Sequence, residues 1–168
     1  MATTTKGSAV LTLPSDTEIL VTREFNAPRR LVWKVLTEPD LIKRWWAGQR
    51  GTVTSASVDL RVGGTWRYVM TADGGFEVGF HGEFREIDAP ASMVQTEVYE
   101  GAPDGDSEPT LNHYTLSEHD GRTTLTVRTV TSSKELRDLI IDSGMEGGMQ
   151  EGYDLLEELA VALTPPPR

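Results

Sequence analysis

The stretch GMEGGMQEGYDLLEELAVAL, residues 144–163, decides the fold. Its apolar residues recur at steps of three and four, which is typical of one face of an α-helix. Acidic and amide side chains occupy the other faces. The pattern predicts a long amphipathic C-terminal helix of about five turns. The apolar stripe comprises Met145, Met149, Tyr153, Leu156, Leu159 or Ala160, and Leu163.

The helical region begins upstream of this stretch. Ser132 or Ser133 can cap a helix, and Glu135 lies near the position that completes a capping box. Gly144 is expected to kink the region, because glycine weakens a helix interior.

Residues 52–130 alternate with a period of two, which predicts strands. Glycine-, aspartate- and proline-rich turns divide this part of the chain, and the short connections favour antiparallel neighbours. The predicted strands are 52–61, 65–71, 76–87, 92–100, 110–117 and 122–130, with an earlier one at Thr17–Phe25.

Two short helices are predicted between the first and second strands. Pro28 stands where a helix prefers its first residue, and Pro39 ends one helix and starts the next. Their apolar faces contain Leu31, Val32, Val35 and Leu36, and then Leu41, Ile42, Trp45 and Trp46.

This element order creates a packing problem. Seven antiparallel strands must bury one face, but a single helix is only about 10–12 Å wide. The sheet can curl around the helix, and the space between them is then hard to fill completely. We therefore expect an apolar cavity that binds a small molecule.

Alternation assigns the cavity lining. Trp66, Tyr68 and Met70 share one side of their strand, as do Phe76, Val78, Phe80, Gly82 and Phe84, and Leu125 and Val127 are expected to face inward. Tyr114 is placed inward with less support, and the pattern leaves the orientation of 92–100 undecided. Any of these aromatic residues could equally be core. The predicted ligand-binding residues are Trp45, Trp66, Tyr68, Met70, Phe80, Tyr114, Met145, Met149 and Tyr153.

The last helix is unusually rich in glycine. Gly144, Gly148 and Gly152 step by four, and each interior glycine costs about 1 kcal/mol relative to alanine. Two explanations remain open: the helix backbone packs closely on the sheet, or the missing side chains leave room for a ligand beside Met145 and Met149.

Catalytic signals are weak. Alternation places His81 on the outer face, His113 is mid-strand and His119 is in a turn. No HExxH, GxSxG, P-loop or GxGxxG motif is present, so no catalytic residue, cofactor or metal is predicted.

The composition of the chain excludes some classes of binding partner. The net charge is −10, from 26 acidic and 16 basic residues, which argues against binding to nucleic acid or to an anionic membrane. Cysteine is absent, and neither a signal peptide nor a membrane-inserting segment is recognisable. We expect a cytoplasmic protein whose partner is a small apolar molecule, and a homodimer is left open.

Four stretches carry a family resemblance: TREFNAPRRLVWKVLTEPDLIKRWW at 22–46, VDLRVGGTWRYVM at 58–70, GEFREIDAP at 82–90 and SSKELRDLIIDSGMEGGMQEGYDLLEELA at 132–160. The chain resembles the SRPBCC superfamily (START, polyketide cyclase and Bet v 1-like proteins), and within it the domain named for the C-terminal half of the activator of Hsp90 ATPase. The resemblance implies an α+β helix-grip fold, with a seven-stranded curved antiparallel sheet around the long C-terminal helix.

The predicted organisation is a flexible segment at 1–15, one helix-grip domain at 16–163 and a proline-rich tail at 164–168. The leading functional hypothesis is ligand binding in the internal cavity. The family also contains cyclases and hydrolases, and co-chaperone-like interaction modules. We do not expect Hsp90 as a partner, because 168 residues leave no room for the activator's separate Hsp90-engaging domain.

Overall fold

The structure is a computed structural model that describes residues 6–101 and 109–165. The described residues form one antiparallel sheet of eight strands. The strands are β1 (Val10–Ser15), β2 (Glu18–Phe25), β3 (Gly51–Val58), β4 (Thr65–Ala72), β5 (Glu77–Asp88), β6 (Ser92–Tyr99), β7 (Thr110–His119) and β8 (Arg122–Val130). Their order across the sheet is β1-β2-β8-β7-β6-β5-β4-β3.

Four helices complete the fold. Two lie between β2 and β3, as predicted: α1 (Arg29–Thr37) and α2 (Pro39–Ile42). The C-terminal region contains α3 (Lys134–Asp142) and α4 (Met145–Leu163). Ser133 caps α3, and its hydroxyl accepts a hydrogen bond from the amide of Leu136 at 3.1 Å. Gly144, at φ 84°, separates α3 from α4, which confirms the predicted kink.

The prediction of seven strands was wrong by one. β1 lies within the N-terminal segment that was expected to be flexible, and its residues 10–12 pair with 20–22 of β2. Val10 is 58% and Leu13 46% exposed, and only Leu11 of this strand packs against the core, so backbone pairing contributes much of what holds it. A strand stabilised in this way has a weak hydrophobic signature.

The N-terminal side of α4 is tied to β1 and β2 at one edge of the sheet. Gln150 accepts a hydrogen bond from the amide of Ala9 and donates one to its carbonyl. The guanidinium of Arg23 contacts the carboxylates of Asp154 at 2.8 Å and Glu157 at 3.3 Å. Arg23 is only 1% exposed and stands among apolar residues on the inner face of β2.

The other side of α4 is tied to the segment that follows α2, residues 43–50. The carboxylate of Glu151 accepts hydrogen bonds from the amide of Gln49 and from the Arg50 guanidinium. Polar contacts thus hold α4 on two sides. One set is at β2, next to the edge strand β1, and the other is at the segment that leads into β3, the strand at the opposite edge. The core lies between α1, α4 and the inner face of the sheet.

We predict that Arg23→Ala destabilises the protein by about 3–5 kcal/mol, because it leaves two poorly accessible carboxylates without their counter-ion. Urea denaturation measures the change in unfolding free energy. Arg128→Ala is the matched control, since Arg128 pairs with Glu18 on the same sheet but its side chain is 51% exposed. That control should cost about 0–1 kcal/mol. Equal costs for the two variants would contradict the anchoring role of Arg23.

Candidate functional site

Strand register fixes which side chains share the inner face of the sheet, because directly paired residues point the same way. Trp66 pairs with Gly82, and Tyr68 pairs with Phe80. Trp66 and Tyr68 are buried and Phe80 is half-buried, so the predicted inward orientation of these residues agrees with the structure. Phe76 is an exception: it precedes β5 in the hairpin turn, is 62% exposed and was wrongly placed on the inner face.

One group of aromatic rings covers the β4–β5 part of this face. Trp46 packs edge-on against Tyr68 and Phe80, with ring centroids 5.4 Å apart in both pairs. Trp66 continues the group beyond Tyr68, at 4.7 Å, and its indole donates a hydrogen bond to the carbonyl of Thr96 on β6.

A second aromatic group surrounds α4. Tyr153 lies edge-on to Phe25 at 5.9 Å and beside Trp45 at 6.2 Å. The Trp45 indole donates to the carbonyl of Val35 at 2.9 Å, so this ring is locked against α1.

The nine predicted lining residues therefore occupy different surroundings. Trp66, Tyr68 and Phe80 belong to the first aromatic group, and Trp45 and Tyr153 to the second. The remaining four are half-buried: Met70, Tyr114, Met145 and Met149. All of these except Met70 pack against the core.

The glycines of α4 have separate explanations. A Cβ on Gly152 would lie 3.2 Å from the carbonyl oxygen of Trp45, so the helix packs closely there, on the segment after α2 rather than on the sheet. A Cβ on Gly148 would meet only the Arg50 side chain, at 3.9 Å. Gly148 thus faces Arg50, and its missing side chain is not evidence for an internal cavity.

The inner face of β6, left undecided by the sequence, is polar. Gln95 and Glu97 share a face because they are two residues apart, and Gln95 pairs with the buried Asn112. The amide of Asn112 donates to Oε2 of Glu97 at 3.3 Å, and the amide of Gln95 donates to the hydroxyl of Tyr114 at 3.5 Å. The hydroxyl of Thr129 donates to the carbonyl oxygen of Asn112 at 2.8 Å, which orients the amide toward Glu97.

Burial raises the pKa of Glu97 to about 7, and the hydrogen bond from Asn112 opposes part of this effect. Part of the Glu97 surface is nevertheless accessible. Burial and the charge of Glu97 also raise the pKa values of Tyr68 and Tyr153. The pKa of Tyr114 is raised by burial first, and then by Tyr153, Glu97 and Tyr68. Glu97 thus lies close enough to the three tyrosines in the interior for its charge to affect their ionisation.

The hydroxyls of Tyr68 and Tyr153 make no hydrogen bond within the described part of the chain, yet neither oxygen is a fully buried, unsatisfied atom. Both residues are themselves buried. Their hydroxyl oxygens consequently border accessible space rather than tightly packed protein.

The histidines lie elsewhere. His81 is on the outer face, as predicted, where its Nδ1 is 2.8 Å from a carboxylate oxygen of Glu100. A hydrogen bond from Arg67 is the main reason that the pKa of Glu100 falls to about 2. His113 is the strand partner of Arg128 on the outer face. His119, which was predicted to lie in a turn, is the exposed last residue of β7. Among residues 6–101 and 109–165, no three His, Asp or Glu side chains form a metal-binding group.

An open surface pocket of about 540 Å³ lies beside the junction of α3 and α4. Of the predicted lining residues it includes Met70. Its other boundaries come from the β4–β5 hairpin, from Arg50 and from Ser143.

Sequence reasoning missed three residues of this region: Trp46 as a member of the aromatic group, Glu97, and Asn112. A signal for the last two was present. In the predicted strand 92–100, Glu97 lies on the same face as Met93 and Gln95. In the strand 110–117, Asn112 lies on the same face as Tyr114. Both faces contain polar residues, so neither resembled the apolar inner face of a sheet.

The comparisons with known proteins agree on the fold. Residues 26–160 match the family described as Activator of Hsp90 ATPase homolog 1-like protein. A solved structure from Rhodobacter sphaeroides is 26% identical, with a TM-score of 0.84, and the match covers 92% of this chain and 99% of that one. Protein Ms6760 from Mycobacterium smegmatis is 25% identical, with a TM-score of 0.81 and coverage of 95% and 99%.

An AHSA1-like protein from Aeromonas hydrophila is 22% identical, with a TM-score of 0.64, and the match covers 89% of this chain and 98% of that one. At that identity the likeness shows the fold alone. No curated protein matches the sequence. None of the described helices combines the length and apolar character needed to cross a bilayer.

The surroundings of Gly148 and Gly152 predict different stabilities for alanine substitutions at these two positions of α4. Gly148→Ala should stabilise the protein by about 0.5–1 kcal/mol, because alanine is the better helix former and only ordinary contact awaits its Cβ. Gly152→Ala should lose that gain or destabilise, because the carbonyl it approaches is backbone. Thermal unfolding compares them, and a Gly152→Ala protein as stable as Gly148→Ala would contradict close packing at Trp45.

The raised pKa of Glu97 predicts a pH-dependent stability. Between about pH 4.5 and 7 the folded state holds a proton that the unfolded state has lost, so stability falls as pH rises, by on the order of 2–3 kcal/mol. Glu97→Gln should remove this decline, and Glu86→Gln, at an exposed position on β5, should not. Urea denaturation at several pH values measures it; identical pH profiles for wild type and Glu97→Gln would refute the burial of this carboxyl.

Proposed function

The chain belongs to the family of activator of Hsp90 ATPase homolog 1-like proteins, and we propose that it binds a small apolar or amphipathic molecule between the curved sheet and α4. The observation that carries this proposal is the pair of tyrosine hydroxyls that border accessible space although both residues are buried. A buried phenol ordinarily finds a hydrogen-bond partner. Tyr68 and Tyr153 find none within the described chain, and a bound ligand would supply one.

Glu97 adds to this argument. Its carboxyl is strongly affected by burial, although part of its surface is accessible. A group with both properties is surrounded mostly by protein and still reaches accessible space. The site we propose thus has aromatic walls from Trp46, Tyr68 and Phe80 and a polar floor from Glu97 and Asn112.

The surface pocket supports an entrance at the start of α4. Met70 contributes to that pocket and also lies on the inner face of β4, two residues from Tyr68. A ligand that entered between the β4–β5 hairpin and the α3–α4 junction would pass Met70 before it reached the aromatic group.

Acid–base catalysis is a second candidate, and Glu97 is the observation that favours it. A general acid or base works best with a pKa near the operating pH, and burial raises the pKa of this carboxyl to about 7. Recovery of a chemically altered ligand after incubation with wild-type protein, but not with Glu97→Gln, would favour catalysis over carriage.

The test of binding uses N-phenyl-1-naphthylamine, a neutral dye that fluoresces in apolar surroundings. We expect wild-type protein to bind the dye saturably. Met149→Trp should weaken binding by about tenfold or more, because Met149 packs inward from α4 and the larger ring would fill the proposed space. Glu158→Trp, at an exposed position on the same helix, is the matched control and should bind like wild type.

Thermal unfolding checks that both tryptophan variants are folded. Native mass spectrometry of the purified wild type tests the same proposal independently, since a bound ligand adds its own mass. No saturable dye binding together with a bare protein mass would reject the proposed function, and equal dye affinity in the two variants would reject the location.

A further inference from the structure

We propose that the ligand carries a protonated amine on an apolar ring body, and that Glu97 is its counter-ion inside the site. This inference rests on the proposed function and names the chemistry that the site selects. Glu97 is an inward-facing carboxylate, and no cationic side chain in the described part of the chain neutralises it.

The oxygen atoms of Glu97 have a single described polar partner. Asn112 donates its amide to Oε2 at 3.3 Å, and no Lys, Arg or His nitrogen lies within 4 Å of either oxygen in residues 6–101 and 109–165. Asn112 supplies a hydrogen bond but no charge. An ionised carboxyl in this position therefore lacks a counter-ion, which is costly away from bulk water.

The two arginines that contact α4 pair with other carboxylates. Arg23 pairs with Asp154 and Glu157, and Arg50 pairs with Glu151. On the outer face, Arg67 pairs with Glu100. These pairs leave the counter-ion of Glu97 to come from outside the described chain.

The rings that line the site suit a cation. Trp46, Tyr68 and Phe80 meet edge to face on the inner side of β4 and β5. An ammonium group is attracted to the negative face of an aromatic ring, by about 0.5–2 kcal/mol. The charge of Glu97 influences Tyr68, which places the carboxyl within electrostatic reach of this group.

The remaining titratable groups around Glu97 reinforce the preference. Tyr68 from β4, Tyr114 from β7 and Tyr153 from α4 face the same interior. Phenols are neutral at physiological pH, and burial raises the pKa of all three further. None of them repels a cation. An anionic headgroup, such as a carboxylate, would instead meet Glu97, and the net charge of −10 also disfavours its approach.

Three probes with one ring body test this inference: 1-naphthylmethylamine, 1-naphthalenemethanol and 1-naphthoate. Isothermal titration calorimetry at pH 8 should give the order amine, alcohol, carboxylate, with the amine bound about tenfold tighter than the alcohol. Glu97→Gln should abolish the ratio between amine and alcohol. Glu86→Gln, which changes an exposed carboxyl on β5, should preserve it.

A second measurement needs only the wild type. Its affinity for the amine should rise between pH 6 and pH 8, as Glu97 loses its proton, whereas its affinity for the alcohol should stay constant. Alcohol binding with no preference for the amine, or a preference that persists in Glu97→Gln, would overturn the inference and leave the proposed function intact. Failure of all three naphthalene probes and of the dye would reject the proposed function itself.

Discussion

The fold depends on how a broad sheet buries one face when few helices are available to cover it. Eight strands at about 4.7 Å spacing span roughly 33 Å, whereas a helix is only about 10–12 Å wide. The inner face is buried jointly by α4, by α1 and by Trp45 and Trp46 of the segment 43–50. Polar contacts hold α4 in place on both of its sides. Arg23 supplies the anchor to β2, and Glu151 supplies the one to the segment before β3.

The same shortage of covering material explains why polar groups occur inside. A tightly packed interior would make Glu97 too costly, since buried charge must be paired or neutralised. Glu97 lies in polar but uncharged surroundings, which Asn112 and the three tyrosines provide. In the proposed function, the ligand would occupy the part of the inner face that the helices leave uncovered.

Much of the architecture could be predicted from sequence, because period-two strands, proline-bounded helices and the α4 stripe are strong local signals. β1 escaped detection because its apolar residues Val10 and Leu13 stay largely exposed. The site was harder to predict. Alternation oriented Trp66, Tyr68 and Phe80, but the role of Gly148 depended on the position of Arg50, and the orientation of Glu97 depended on strand register. Such long-range contacts leave no periodic trace in the sequence.

The most direct measurement is a crystal structure of the protein with 1-naphthylmethylamine. Our account predicts electron density for the naphthalene ring between α4 and the inner face of the sheet, beside Trp46, Tyr68 and Phe80. The amine nitrogen should lie within hydrogen-bond distance of a Glu97 oxygen, about 2.7–3.2 Å. An amine bound only in the open pocket beside Arg50, with protein side chains filling the interior around Glu97, would contradict it.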